Sequence, residues 1–103
     1  MLHGRLTLPR FVDVVSTSPA RLMGLASKGR LEPGADADIV VIDPTDERLI
    51  KTRNLHQKAD CTPYEGMVVR GWPRHVWLRG EPIIFGRQPS GYAGQGRFVP
   101  RML

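Results

Sequence analysis

Cysteine, lysine, histidine and aromatic side chains are all scarce in this chain of 103 residues. Cys61 is the only cysteine, which excludes an internal disulfide and agrees with a reducing compartment. His3, His56 and His75 form no HxH, HExxH or HxxxH pair, so no single helix or strand carries a metal-ligand spacing. Aromatics make up 7% beside 11 Gly and 9 Pro, so a thin core and much irregular backbone are expected. The longest apolar run, residues 39–42, is far too short to cross a bilayer, and MLHGRLTLPRF holds no apolar stretch with a cleavage site. These absences predict a soluble, cytoplasmic protein with no membrane partner. The length suits one small domain, and chains this short often need a partner to bury what they cannot.

Negative charge is missing from one region. Residues 1–65 carry nine basic and nine acidic side chains, whereas residues 66–103 carry six arginines against Glu81 alone. The net charge of +5 therefore lies in the last third. A basic tail raises the reading of a nucleic-acid binder, but the arginines are dispersed and no binding motif accompanies them.

Among what is present, the order is helix, helix, then strands. Thr7 suits a helix cap, Pro9 a first turn, and Phe11, Val12, Val14 and Val15 recur at helical spacing. Pro19 pushes Ser18 away from the α region, which predicts a break there and a second helix over residues 19–25, with Leu22, Met23 and Leu25 inward. Arg30-Leu31 is expected as a short strand and Glu32-Pro33-Gly34-Ala35 as a type II turn. Ile39-Val40-Val41-Ile42 has no polar alternation and reads as a strand buried on both faces, stopped by Asp43-Pro44. Leu49-Ile50 reads as a brief edge strand, residues 54–66 as a loop, and residues 67–71 as a strand. His75-Val76-Trp77-Leu78 and Ile83-Ile84-Phe85 flank the hairpin turn Arg79-Gly80-Glu81-Pro82, with Pro82 at an edge. The tail beyond Gly86 is too poor in apolar residues to fold alone.

Three features invite a catalytic reading. Asp36, Asp38 and Asp43 surround the aliphatic strand, but Asp38 and Asp43 lie at its opposite ends, ~16 Å apart along an extended chain, so both cannot hold one ion. Aspartates also satisfy free N–H groups in turns, and that structural role is the expectation. His56 and Cys61 offer a base and a nucleophile, yet no signature of a thiol hydrolase accompanies them. Gly91, Gly94 and Gly96 follow no strand and precede no helix, so they form no phosphate loop. Residue types alone assemble no catalytic, metal-binding or substrate-binding constellation.

The segments FVDVVSTSPARLMGL and KGRLEPGADADIVVIDP resemble the end of the cyclic-amide hydrolases of the amidohydrolase superfamily. HQKADCTPYEGMVVRG, with Pro63-Tyr64-Glu65-Gly66 at its centre, and VWLRGEPIIFGR narrow the resemblance to dihydropyrimidinases and hydantoinases. The likeness runs from residue 5 to about residue 100. It implies an α+β chain: a bent helix pair ending a (β/α)8 barrel over residues 1–27, a small, mostly antiparallel half of a β-sandwich over residues 28–86, and a flexible, irregular tail over residues 87–103.

The resemblance also implies a division of labour. The family's zinc ligands, an HxH pair, a carboxylated lysine, two further histidines and an aspartate, have no counterpart here, and Lys28, Lys51 and Lys58 lack that lysine's surroundings. The expectation is a non-catalytic C-terminal portion, truncated or separately encoded, with no cofactor of its own. The parent reaction is metal-dependent opening of a dihydropyrimidine or hydantoin ring. Structural or interface roles fall to Pro63, Tyr64, Glu65, Gly66, Asp36, Asp38, Trp77 and Arg79. Partners would be further copies of the chain or a barrel-containing chain. The alternative is a stand-alone interaction or oligomerisation module, with nucleic-acid binding a weaker third reading.

Overall fold

The computed structural model describes residues 4–102; Met1, Leu2, His3 and Leu103, and with them any role for His3, lie outside the described residues. Helix α1 spans residues 8–22 in three stretches, Leu8–Val12, Asp13–Thr17 and Ser18–Leu22. Thr7 is extended and its hydroxyl accepts from the Arg10 N–H at 3.4 Å, while Pro9 occupies the first turn. The expected break at Ser18 does not occur, for Ser18 keeps helical angles of φ −64° and ψ −45°. The middle stretch is wound as a π-helix, with the Ser18 N–H reaching the Asp13 carbonyl. That wider turn accommodates Pro19, which has no N–H to give and whose ring would crowd a regular turn. The Ser18 hydroxyl donates to Asp13 Oδ1 at 2.7 Å and steadies the bend. One bent helix results.

The helix ends earlier than its apolar pattern suggests. The Gly24 N–H bonds to the Arg21 carbonyl at 3.1 Å and the Leu25 N–H to the Ala20 carbonyl at 2.9 Å, the paired bonds of a Schellman cap. Gly24 sits at φ +68°, the left-handed conformation this cap requires. Its α-carbon also faces the Met102 backbone, whose N–H donates to the Gly24 carbonyl at 2.8 Å. The far end of the tail thus lies on the helix terminus.

The strands form one open antiparallel sheet in the order β1-β2-β3-β4, with β1 Ile39–Leu49, β2 Val68–Leu78, β3 Glu81–Phe85 and β4 Gln88–Pro89. Arg30-Leu31 forms no strand, but Glu32–Ala35 turns as expected, with Gly34 at φ +92° and an Ala35 N–H to Glu32 carbonyl bond of 3.1 Å. Asp43-Pro44 does not stop β1. The ladder pairs Asp43 with Trp72 and Glu47 with Arg70, so residues 44–46 bulge out opposite Gly71 and Pro44 needs no ladder partner. Leu49 is therefore the end of β1 rather than part of a separate edge strand. Residues 67–71 and 75–78 likewise belong largely to one strand, β2, which carries Pro73 through an irregular register opposite Ile42.

Burial departs furthest from the sequence reading. Ala20 is the one buried apolar side chain among the described residues. Val40, Val41 and Ile42 are exposed on both faces of β1, and Leu22, meant to face inward, is 76% exposed. The strand is apolar for burial, as read, but nothing among the described residues covers it. A folded 11.5 kDa monomer exposes about 5,800 Å2, whereas this chain exposes 8341 Å2. Its radius of gyration, 15.3 Å, also exceeds the ~12.8 Å of a compact chain this long.

Candidate functional site

The chain passes from helix to sheet through a charged knot. Lys28 Nζ lies 2.8 Å from Asp36 Oδ2 and 2.5 Å from Asp38 Oδ2, with its side chain only 13% exposed. The Ser27 hydroxyl donates to Asp36 Oδ2 at 2.9 Å. Burial disfavours the Lys28 cation, but its hydrogen bonds to Asp36 and Asp38 outweigh that, so its pKa is raised above the ordinary 10.5. The Lys28 and Ser27 hydrogen bonds lower the Asp36 pKa. Although β1 starts only at Ile39, both aspartates converge on one ammonium. Sequence reasoning missed Lys28 as their partner; the signal was a lone lysine eight residues before Asp36 and ten before Asp38.

The other oxygen of Asp38 reaches across the sheet. Asp38 Oδ1 accepts from the Arg79 N–H at 2.8 Å, and the Ala37 carbonyl accepts from the Gly80 N–H at 2.9 Å. Arg79 and Gly80 lie at φ +50° and φ +80°, as a two-residue type I′ turn between Leu78 and Glu81 demands. The hairpin is tighter than the expected four-residue turn, with β3 starting at Glu81. The Arg79 guanidinium donates to the Gln95 carbonyl, and Gln95, 8% exposed, donates to Glu81 Oε2 at 3.2 Å. Trp77 stands opposite Ile39 beside this turn. Asp36, Asp38, Trp77 and Arg79 therefore come together at one end of the sheet.

Pro63, Tyr64, Glu65 and Gly66 form a turn elsewhere, leading into β2. Glu65 Oε2 accepts from both the N–H and the hydroxyl of Thr52, each at 2.7 Å, and these bonds lower its pKa. The Gly66 N–H meets the Ile50 carbonyl at 2.9 Å, tying the turn to the chain leaving β1. Tyr64 is exposed. A shallow cleft of about 550 Å3 beside the turn is lined by Lys51, Arg53, Asp60, Cys61 and Glu65 among others. The Cys61 thiol is exposed.

Asp43 belongs to a third cluster. Its Oδ1 accepts from the N–H and hydroxyl of Thr45 at 3.0 and 2.7 Å, which holds its pKa below the ordinary carboxylate value. Arg87 lies 3.5 Å from Asp43 and 3.1 Å from Asp46, and Arg48 lies 3.1 Å from Asp46 and over the Trp72 ring. Asp38, just before β1, and Asp43, within it, thus belong to separate clusters. Among the described residues no group of three His, Cys, Asp or Glu side chains is placed to hold a metal ion. The zinc implied by the resemblance does not fit these residues, because Asp36 and Asp38 already share an ammonium ion.

Comparison with known proteins places this geometry. The profile of the amidohydrolase family matches residues 1–84. A D-hydantoinase from Geobacillus stearothermophilus is 48% identical over 99 residues, covering 95% of this chain and 21% of that protein. A crystal structure of a D-hydantoinase superposes with a TM-score of 0.95 at 42% identity, over 99% of this chain and 22% of that one. A dihydropyrimidinase from Brevibacillus agri NCHU1002 superposes with a TM-score of 0.92 at 42% identity, over 95% and 22%. The chain spans about a fifth of the length of the relatives it matches.

Proposed function

This chain belongs to the amidohydrolase family, and from that premise we propose that it is the non-catalytic C-terminal portion of a dihydropyrimidinase- or hydantoinase-like hydrolase. Its work is to complete a β-sandwich and supply contacts to the metal-bearing barrel and to neighbouring subunits. The observation that carries this reading is the uncovered apolar surface: Leu22, Val40, Val41 and Ile42 are exposed, and the chain shows roughly 2,500 Å2 more surface than a compact monomer. A standard interface takes about 800 Å2 from each partner, so the excess exceeds one ordinary contact. Among the described residues the side chains build turns and ion pairs, and no group of three His, Cys, Asp or Glu side chains is placed to hold a metal ion.

The test is enzymatic. Purified chain supplied with zinc should leave hydantoin and dihydrouracil intact, read as constant ultraviolet absorbance of the ring. Ring opening in proportion to chain concentration would overturn the proposal. A tagged copy should capture a barrel-containing hydantoinase chain.

A second reading rests on the free edge of β1. Among the described residues the eleven of β1 have no outer neighbour, an edge that invites pairing with another copy of the chain. On that reading the chain is a homo-oligomer, with or without exchanged elements. A stable monomer at micromolar concentration in sedimentation would count against it.

A further inference from the structure

His75 takes no part in the contacts proposed above, yet its ring closes the β3–β4 hairpin. It stacks on Trp77 with centroids 5.5 Å apart and tilts against Phe85 at 4.7 Å. Its Nδ1 accepts from the Gly86 N–H at 3.1 Å. Gly86 and Arg87, at φ +56° and φ +70°, make the two-residue turn between Phe85 and Gln88. The Arg87 N–H donates to the Arg74 carbonyl at 2.9 Å, so one imidazole acceptor and one carbonyl hold the turn to β2.

We propose that His75 is a proton-sensitive latch on the β3–β4 turn. An imidazole can accept at Nδ1 only when that nitrogen is bare; the imidazolium carries hydrogen on both nitrogens and is a donor alone. Protonation and the bond from Gly86 are mutually exclusive. The latch is closed at higher pH, where the ring is neutral, and opens as the pH falls and the ring gains its proton. Val41 of β1 faces His75 in the ladder, and Trp77 and Phe85 flank the ring from β2 and β3. The charged groups tied to this turn are Arg74, next to His75 on β2, Arg87 in the turn itself, and Asp43 and Asp46 of β1, which Arg87 reaches. Arg87 pairs with Asp43 and Asp46, and Arg48 pairs with Asp46.

Opening has a consequence further along the chain. The Ser90 and Gly91 N–H groups bond to the Ile83 carbonyl at 3.0 and 3.3 Å, and the tail continues from there to Gln95 and its contact with Arg79. Loosening the turn frees the start of the tail.

The test is amide exchange in the full chain between about pH 8 and pH 5, the range in which histidines change charge. After correction for intrinsic exchange, Gly86 protection should fall about five- to tenfold on acidification, the effect of one lost hydrogen bond. Its midpoint should coincide with that of the His75 ring. In His75→Asn, whose amide oxygen accepts without titrating, protection should stay level. Nitrogen-15 resonances of the wild-type ring give a reading that needs no variant: Nδ1 should be unprotonated at the alkaline end. Gly86 protection that is indifferent to His75 titration, equal acid sensitivity in His75→Asn, or a hydrogen on Nδ1 at the alkaline end would each overturn the latch.

Discussion

Single residues account for most of the order in this chain. Gly24 ends the helix in a left-handed conformation, and a β-carbon there would lie 2.3 Å from the Met102 carbonyl oxygen. Gly24→Ala should therefore destabilise the chain by about 2 kcal/mol or more, from backbone strain plus displacement of the tail. A urea midpoint unchanged from wild type would refute it. The carboxylates make a second prediction. Asp13, Asp36, Asp43 and Glu65 are held below their ordinary values chiefly by hydrogen bonds from Ser18, Lys28, Thr45 and Thr52 respectively. A carboxylate with a lowered folded pKa contributes stability above its unfolded value and loses it as pH falls through the folded one. Stability from these four should be level down to about pH 4.5 and decline below it, measured as melting temperature against pH. A melting temperature that holds constant well below that point would show the four bonds to be energetically idle.

Between elements, the joints decide the geometry. The π-wound stretch Asp13–Thr17 lets one helix carry Pro19, and the bulge at residues 44–46 lets one strand carry Pro44. Both prolines read as stops because an isolated segment cannot supply the wider turn or the unpaired bulge that tolerates them. The β2–β3 turn shows the same dependence. A type I′ turn favours Asn, Asp or Gly at its first position, yet Arg79 sits there with its N–H on Asp38. Arg79→Val should cost about 1–2 kcal/mol, because a β-branched residue strains at positive φ and the guanidinium contact to Gln95 is lost. Chemical denaturation measures it, and a change within experimental error would mean the turn bears little of the fold's stability.

The molecule as a whole has a sheet and a helix but almost no interior. Leu22 and Val40 lie exposed on different elements, so replacing either should leave the folding of the isolated chain nearly untouched. Leu22→Lys and Val40→Lys are expected within about 0.5 kcal/mol of wild type in denaturation, the usual range for surface positions. The same variants should abolish association, read as a lower sedimentation coefficient or failure to capture a barrel-containing chain. Normal association with both lysines in place would remove the helix and β1 from the interface. The basic last third, which raised nucleic-acid binding from sequence, is partly spent within the fold, since Arg87 is paired with Asp43 and Asp46 and Arg79 is bonded to Gln95.

Local chemistry was legible without coordinates wherever one residue type has one physical use. Thr7 as a cap, the turn at Pro33-Gly34, the aliphatic strand at residues 39–42 and the order of helix before sheet all follow from short-range sterics and side-chain spacing. Motif resemblance, from the stretch around Asp36 and Asp38 to Pro63-Tyr64-Glu65-Gly66, reached the family that comparison identified. Tertiary structure alone decided the rest: that Lys28 joins Asp36 to Asp38, that Asp38 holds the Arg79 turn 41 residues away, and that the strand read as doubly buried stands open. Composition records which surfaces are made to be covered. Which of them this chain covers depends on long-range packing, and no window of neighbouring residues contains it.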